Sequence, residues 1–193
     1  IGKIEVIVEP GPAFRFSRAD IAPLAPGTVL PKGFAPGAVA ASGVIREAVT
    51  VGIEAWRDVG HAKAETAAQD FSADHRNNTL AASVKLNPGQ KLRFGRLVIT
   101  GQERMRERRI RKIAGLPEGE VFSPLELRRA TERLRRTGIF KSVSLTEDEV
   151  VTVPDQLGIT ATLVEEKLRR YSIGAEIASF DGLNLTGSWL HRN

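Results

Sequence analysis

Hydrophobic positions in the second half of the chain change period in a fixed order, and that order predicts a string of elements. Over residues 93–100, Leu97 and Ile99 alternate with polar neighbours like one face of a strand, and Gly101 ends it. Over residues 103–114 the spacing lengthens to that of a helix, with Ile110, Ile113 and Ala114 as its apolar face and Gly115 as its stop. A second helix starts at Ser123-Pro124-Leu125-Glu126, where Ser123 can cap, Pro124 suits the first helical position and Glu126 completes a capping box. It buries Leu127, Ala130 and Leu134 and closes at Gly138. Alternation then returns over residues 142–146, with Val143 and Leu145 inward. After a turn over residues 153–158, Ile159, Ala161 and Leu163 make the inner row of a last strand.

The first half follows the same plan with a looser start. A strand is predicted over residues 13–21. The stretch 23–37, with prolines at 23, 26, 31 and 36, reads as a loop where the second half has its first helix. A long helix over residues 44–59 places Ile45, Val49, Ile53 and Trp56 at helical spacing, and Gly60 ends it. Residues 62–71 and 79–86 form a hairpin around Asp74-His75-Arg76-Asn77-Asn78. Ile4, Val6 and Val8 alternate before all of this, as the last strand of a preceding module would.

Strand, helix, helix, strand, strand is a constraining order. The two final strands are joined by a short turn and pair antiparallel. The first strand reaches them by a helical crossover, so an α+β fold results: a three-stranded mixed sheet with two helices on one face. With the first strand paired to the last, the middle strand is an edge with free backbone donors and acceptors. The predicted edge residues are Lys63, Glu65, Ala67 and Gln69 in the first half, and Ser142, Val143, Ser144, Leu145 and Thr146 in the second.

The two halves are copies. Val6-Ile7-Val8-Glu9-Pro10-Gly11-Pro12-Ala13-Phe14-Arg15-Phe16 is echoed by Val84-Lys85-Leu86-Asn87-Pro88-Gly89-Gln90-Lys91-Leu92-Arg93-Phe94. A weaker third copy ends at Tyr171, so the aromatic recurs after 78 and then 77 positions. That period is too long for a solenoid repeat and suits a small domain. The implied modules are residues 11–88 and 89–167, preceded by the strand at 1–10 and followed by a separate segment, 168–193. Pro88 and Gly89 mark the module boundary, and Gly101, Gly138 and Phe140 are structural positions within the second module. The opening at Ile1 and the ending at Asn193 read as those of a fragment. No run of apolar residues is long enough for a membrane-spanning helix.

The net charge of +5 is unevenly placed. Residues 1–89 balance, whereas residues 90–167 carry 16 basic against 12 acidic side chains. Arg104, Arg108, Arg111, Arg129, Arg133 and Arg136 form a candidate basic surface toward anionic partners or membrane phosphates. The plainer reading is that arginines coat the solvent faces of two helices.

Other chemistry finds little support. His61, His75 and His191 are too scattered to hold a metal, and there is no cysteine for thiolate chemistry or disulfides. Ser123 is a cap without a partnering histidine. The neighbouring carboxylates Glu165 and Glu166 point to opposite faces of a strand, and no glycine spacing fits a phosphate loop. No enzyme activity, metal or cofactor is expected. Nucleic acid is not expected as a partner either, because the arginine-rich helix carries no aromatic residue for stacking.

The tandem modules joined by Pro-Gly-x-x-x-Arg-Phe, together with Gly138-Ile139-Phe140-Lys141-Ser142-Val143, resemble POTRA domains of the BamA/TamA outer-membrane superfamily. The segment from Glu165 to Glu176, then Asp181-Gly182-Leu183 and Trp189-Leu190-His191-Arg192-Asn193, is similar to the start of that superfamily's membrane β-barrel. The proline-rich first module is most similar to TamA-type proteins. The resemblance implies a periplasmic region that receives unfolded outer-membrane or autotransporter polypeptides, or a TamB-like inner-membrane-anchored partner, by strand addition at a sheet edge. The POTRA region of a two-partner secretion pore is the alternative.

Overall fold

The computed structural model describes residues 11–151, 153–167, 169–178 and 182–191. The strand read at residues 1–10 lies outside them. The chain divides into two compact units. The first runs to Arg93 and takes in Val121–Pro124; the second holds Phe94–Glu120 and the chain from Leu125 onward.

In the first unit, strand β1 (Arg15–Ala22) leads through residues 23–40 into helix α1 (Ser42–Asp58), followed by β2 (Glu65–Asp74) and β3 (Thr79–Asn87). The sheet order is β1-β3-β2, with β1 parallel and β2 antiparallel to the central β3. The proline-rich stretch forms turns, as expected, yet it fills space that a helix would otherwise fill. Its Phe34 is buried and meets Phe16 edge-on with ring centroids 5.4 Å apart. Ile21, Ala48, Ala82, Val84 and Leu86 complete this core.

The buried line of α1 differs from the expected one. Ile45, Val49, Ile53 and Trp56 are only half-buried, and the fully buried positions are Ala48 and Gly52. The cause is close approach: a Cβ on Gly52 would sit 2.8 Å from Leu86 Cδ1. Small residues bring the helix onto the sheet, and the larger side chains splay to its flanks. Trp56 Nε1 donates to the Pro23 carbonyl at 2.9 Å, tying helix to loop. At the β2–β3 turn, Asp74 accepts from the backbone N–H groups of Arg76 and Asn77.

In the second unit, β4 (Arg93–Thr100), α2 (Glu107–Ala114), α3 (Pro124–Arg135), β5 (Phe140–Glu147) and β6 (Gln156–Glu165) build a sheet of order β4-β6-β5. Its core rows are Phe94, Leu97 and Ile99 on β4 and Leu157, Ile159, Ala161 and Leu163 on β6. Ile110, Ala114, Ala130 and Leu134 are the buried helical positions. Both units are thus three-stranded sheets in an α+β arrangement. A hairpin of β7 (Arg169–Ala178) and β8 (Gly182–His191) ends the second unit.

Helix α2 is four residues shorter at its start than the periodicity predicts. Residues 103–105 form bends ahead of the N-cap Arg106, because the backbone N–H groups of Glu103, Arg104 and Met105 all point at the Glu165 carboxylate. At its other end Gly115 adopts the left-handed conformation expected of a C-terminal stop, φ 54°. Glu126, expected in a capping box, pairs with Arg129 at 2.6 Å.

Candidate functional site

In each sheet the outer edge of the first strand is already occupied. Phe16 donates its N–H to Ala38 O at 2.9 Å and accepts from Gly37 N at 2.7 Å. Phe94 repeats the pair, donating to Glu120 O at 2.8 Å and accepting from Gly119 N at 2.7 Å. The segment ahead of the long helix therefore closes β1 in one unit and β4 in the other. This explains the recurring Arg-Phe: the ring anchors the core while its backbone binds the covering segment.

Among the described residues, the other outer strand of each sheet has a partner on one side only. These are β2 and β5, the expected middle strands. Lys63 is a correction. It lies in a turn before β2 begins at Glu65, where Ala64 N bonds to His61 O. Ala67 is the extra residue of a bulge between Thr66 and Ala68, so regular pairing runs from Ala68 to Asp74. Gln69 and the rest of that stretch are exposed.

Beside β2 the sheet face is not fully covered. Gln69 and Phe71 from β2 and Ile45, Arg46, Val49 and Thr50 from α1 line an open, mainly apolar groove, and Phe71 is 44% exposed. The splaying of Ile45 and Val49 around Ala48 and Gly52 creates one wall. The other wall follows from strand alternation, which turns Gln69 and Phe71 to the same face. Sequence reading missed this groove; the signal was Phe71, an aromatic in an otherwise polar edge strand.

The β5 edge differs. Ser142, Ser144 and Thr146 are exposed, Val143 is buried, and Leu145 is half-buried, as alternation predicts. Arg135 at the end of α3 donates from Nη2 to the Val143 carbonyl at 3.2 Å. One acceptor of that strand already has an additional donor.

The candidate basic surface separates into two kinds of residue. Arg133 donates to the carbonyls of Ala114 at 2.6–2.8 Å and of Gly115 at 3.1 Å, capping the end of α2. Arg111 reaches the Leu97 carbonyl, and its ion-pair partners are Glu107 at 3.5 Å and Glu118 at 3.8 Å. Arg129 pairs with Glu126, and Arg104 with Glu165. Arg133, Arg111 and Arg104 thus link separate elements, whereas the Arg129–Glu126 pair lies within one helix. Arg108 and Arg136 remain exposed, with no side-chain partner among the described residues.

The Glu165 side chain is only 3% exposed. Burial works against its ionisation. The backbone N–H groups of Met105, Arg104 and Glu103, with the Arg104 guanidinium, outweigh that and hold its carboxyl at about 2, against an ordinary 4.5. Arg104 Nη2 also donates to the Glu166 carbonyl, and Glu166 N donates to Ile139 O. The end of β6 is fixed on both sides.

The remaining predicted positions are structural. Gly101 has φ +79°, and a Cβ there would meet the Leu163 carbonyl oxygen at 2.2 Å. Phe140 is buried. Pro88 and Gly89 follow β3 directly, with Gly89 N bonded to Asn87 Oδ1 and its carbonyl to His61 Nδ1. His75 packs edge-on against Phe14. In the hairpin, Tyr171 stands opposite Trp189 in register, and with Ile173 they are exposed.

Residues 92–166 match the POTRA family model, described as a surface antigen variable number repeat. Over 140 residues, 72% of the chain, the sequence is 24% identical to the outer membrane protein assembly factor BamA of Nitratidesulfovibrio vulgaris. The chain spans about 17% of that relative's length. The fold is similar to Haemophilus influenzae BamA POTRA3-5, with a TM-score of 0.66 at 18% identity over 79% of this chain and 61% of that one. It is also similar to Haemophilus ducreyi BamA lacking POTRA domains 1-3, with a TM-score of 0.61 at 18% identity over 80% of this chain and 29% of that one. Residues 92–166 thus carry the POTRA sequence match, in a fold similar to the BamA POTRA structures.

Proposed function

We propose that this chain is the periplasmic POTRA region of an outer-membrane assembly or translocation factor, and that it receives extended polypeptide by strand addition along β2. The observation that carries the reading is the free β2 edge beside an apolar groove. A polypeptide adding to that edge gains backbone hydrogen bonds that make no demand on sequence. Every second side chain of the added strand falls on the groove side, where Phe71, Ile45 and Val49 favour an apolar one. Backbone pairing with a loose apolar preference suits unfolded outer-membrane proteins as clients. The region binds and guides, and carries out no catalytic step.

Within this reading the β7–β8 hairpin opens the membrane barrel. Tyr171, Ile173 and Trp189 supply an exposed apolar and aromatic face of the kind that barrel strands turn to lipid. The factor is of TamA type, with a TamB-like inner-membrane-anchored subunit as partner; the proline-rich stretch of the first unit supports that assignment.

Proline at Gln69 or Phe71 tests the binding edge. Edge strands tolerate proline, which removes a donor and crowds an incoming strand. Capture of an unfolded outer-membrane β-barrel polypeptide should fall by about tenfold or more while the thermal melt changes little, tenfold corresponding to the loss of roughly one or two net hydrogen bonds. Unchanged capture by both folded variants would refute the site.

A further inference from the structure

We infer that the cleft lined by Arg106, Arg108, Arg109 and Lys112 at the start of α2 binds the phosphate headgroups of an anionic lipid surface. All four side chains are exposed, and none has an ion pair or hydrogen bond among the described residues. This separates them from the arginines that brace α2, α3 and the end of β6. Their placement is electrostatically unfavourable for an isolated fold. Arg106 is the N-cap, and Arg108 and Arg109 lie in the first turn, where the free N–H groups already carry positive charge. Lys112 follows Arg108 by four residues and Arg109 by three, which makes like-charge neighbours on a short helix. The one acidic residue of that turn, Glu107, is paired with Arg111. Packing of Ile110 and Ala114 holds the helix in place, so the cationic cleft persists without an internal counterion.

Position selects the anion. Two residues before the cleft, Arg104 is bound to Glu165 and to the Glu166 carbonyl, and Arg169 then opens β7. Cations tied in this way to the root of a hairpin that exposes Tyr171 (67%), Ile173 (89%) and Trp189 (65%) meet the headgroup layer when those side chains meet lipid. This geometry rests on the barrel reading of the hairpin.

The test is flotation of the 193-residue chain with vesicles of phosphatidylcholine alone or mixed with phosphatidylglycerol. Phosphatidylglycerol should strengthen binding, and added salt should weaken it. Replacing the four residues together (R106Q, R108Q, R109Q, K112Q) should cut the anionic-lipid increment by about tenfold or more. Arg108→Glu alone should cut it severalfold, and an Arg128→Gln/Arg136→Gln control should keep it. Tyr171→Ser/Trp189→Ser should lower binding to neutral vesicles yet retain the increment. Unchanged neutral binding in that double variant would sink the hairpin reading and leave the cleft standing. An increment indifferent to the cleft substitutions in folded protein would overturn the inference. So would inorganic phosphate abolishing it at matched ionic strength, because the site would then be one for free phosphate.

Discussion

Glu165 Oε1 lies 2.9 Å from the backbone nitrogen of Met105, and the same oxygen accepts from Arg104 and Glu103 at 3.0 Å each. One carboxylate at the end of the last sheet strand thus organises the turn that follows the first. Residues 60 or more apart in sequence are fixed to each other, and the chain leaves β6 in a set direction.

Glu165→Ala should lower the stability of the second unit by about 1.5–3 kcal/mol, the range for hydrogen bonds to a charged group. Chemical denaturation measures it. Because the folded carboxyl titrates near 2 and the ordinary value is 4.5, the ionised form is favoured by folding. Its contribution is complete above about 4.5 and is lost as pH falls toward 2. Glu165→Gln should flatten the stability profile across that window.

Arg133 lies in α3 and Arg136 one residue past its end, and the two look alike in sequence. Arg133→Ala uncovers the carbonyls of Ala114 and Gly115 and should cost about 1–2 kcal/mol. Arg136→Ala should change stability by less than about 0.5 kcal/mol. Paired melts distinguish bracing from coating.

Gly101→Ala meets two obstacles, a left-handed backbone and the Leu163 carbonyl 2.2 Å from the new Cβ. A loss of more than about 2 kcal/mol is expected, read as a lower melting temperature.

Arg135→Ala should leave stability within about 1 kcal/mol while exposing the Val143 carbonyl. If that arginine limits strand addition at β5, cross-linking of an extended polypeptide to Ser144 should rise.

The sheet order was legible because period and connection length restrict how three strands can pair, and the outer position of β2 and β5 followed from that order. Phe16 and Phe94 announced the repeat, although their role in closing β1 and β4 depends on backbone contacts that side-chain pattern does not encode. The start of α2 was overestimated because periodicity reports helical spacing and is blind to a carboxylate arriving from 60 residues away. The arginines could not be sorted from composition. Bracing depends on which guanidinium reaches a carbonyl, and charge counts carry no such information. The groove beside β2 was hidden for a related reason. Ala48 and Gly52, unremarkable in a helical pattern, set how closely α1 approaches the sheet and so where Ile45 and Val49 open.

Amide hydrogen exchange of the β2 strand, with and without a saturating extended client polypeptide, tests the central claim most directly. The account predicts that exchange slows across Ala68–Ala73 when the client binds, while the covered strand β1 is unchanged. Unaltered β2 exchange at saturation, with protection appearing elsewhere, would contradict it.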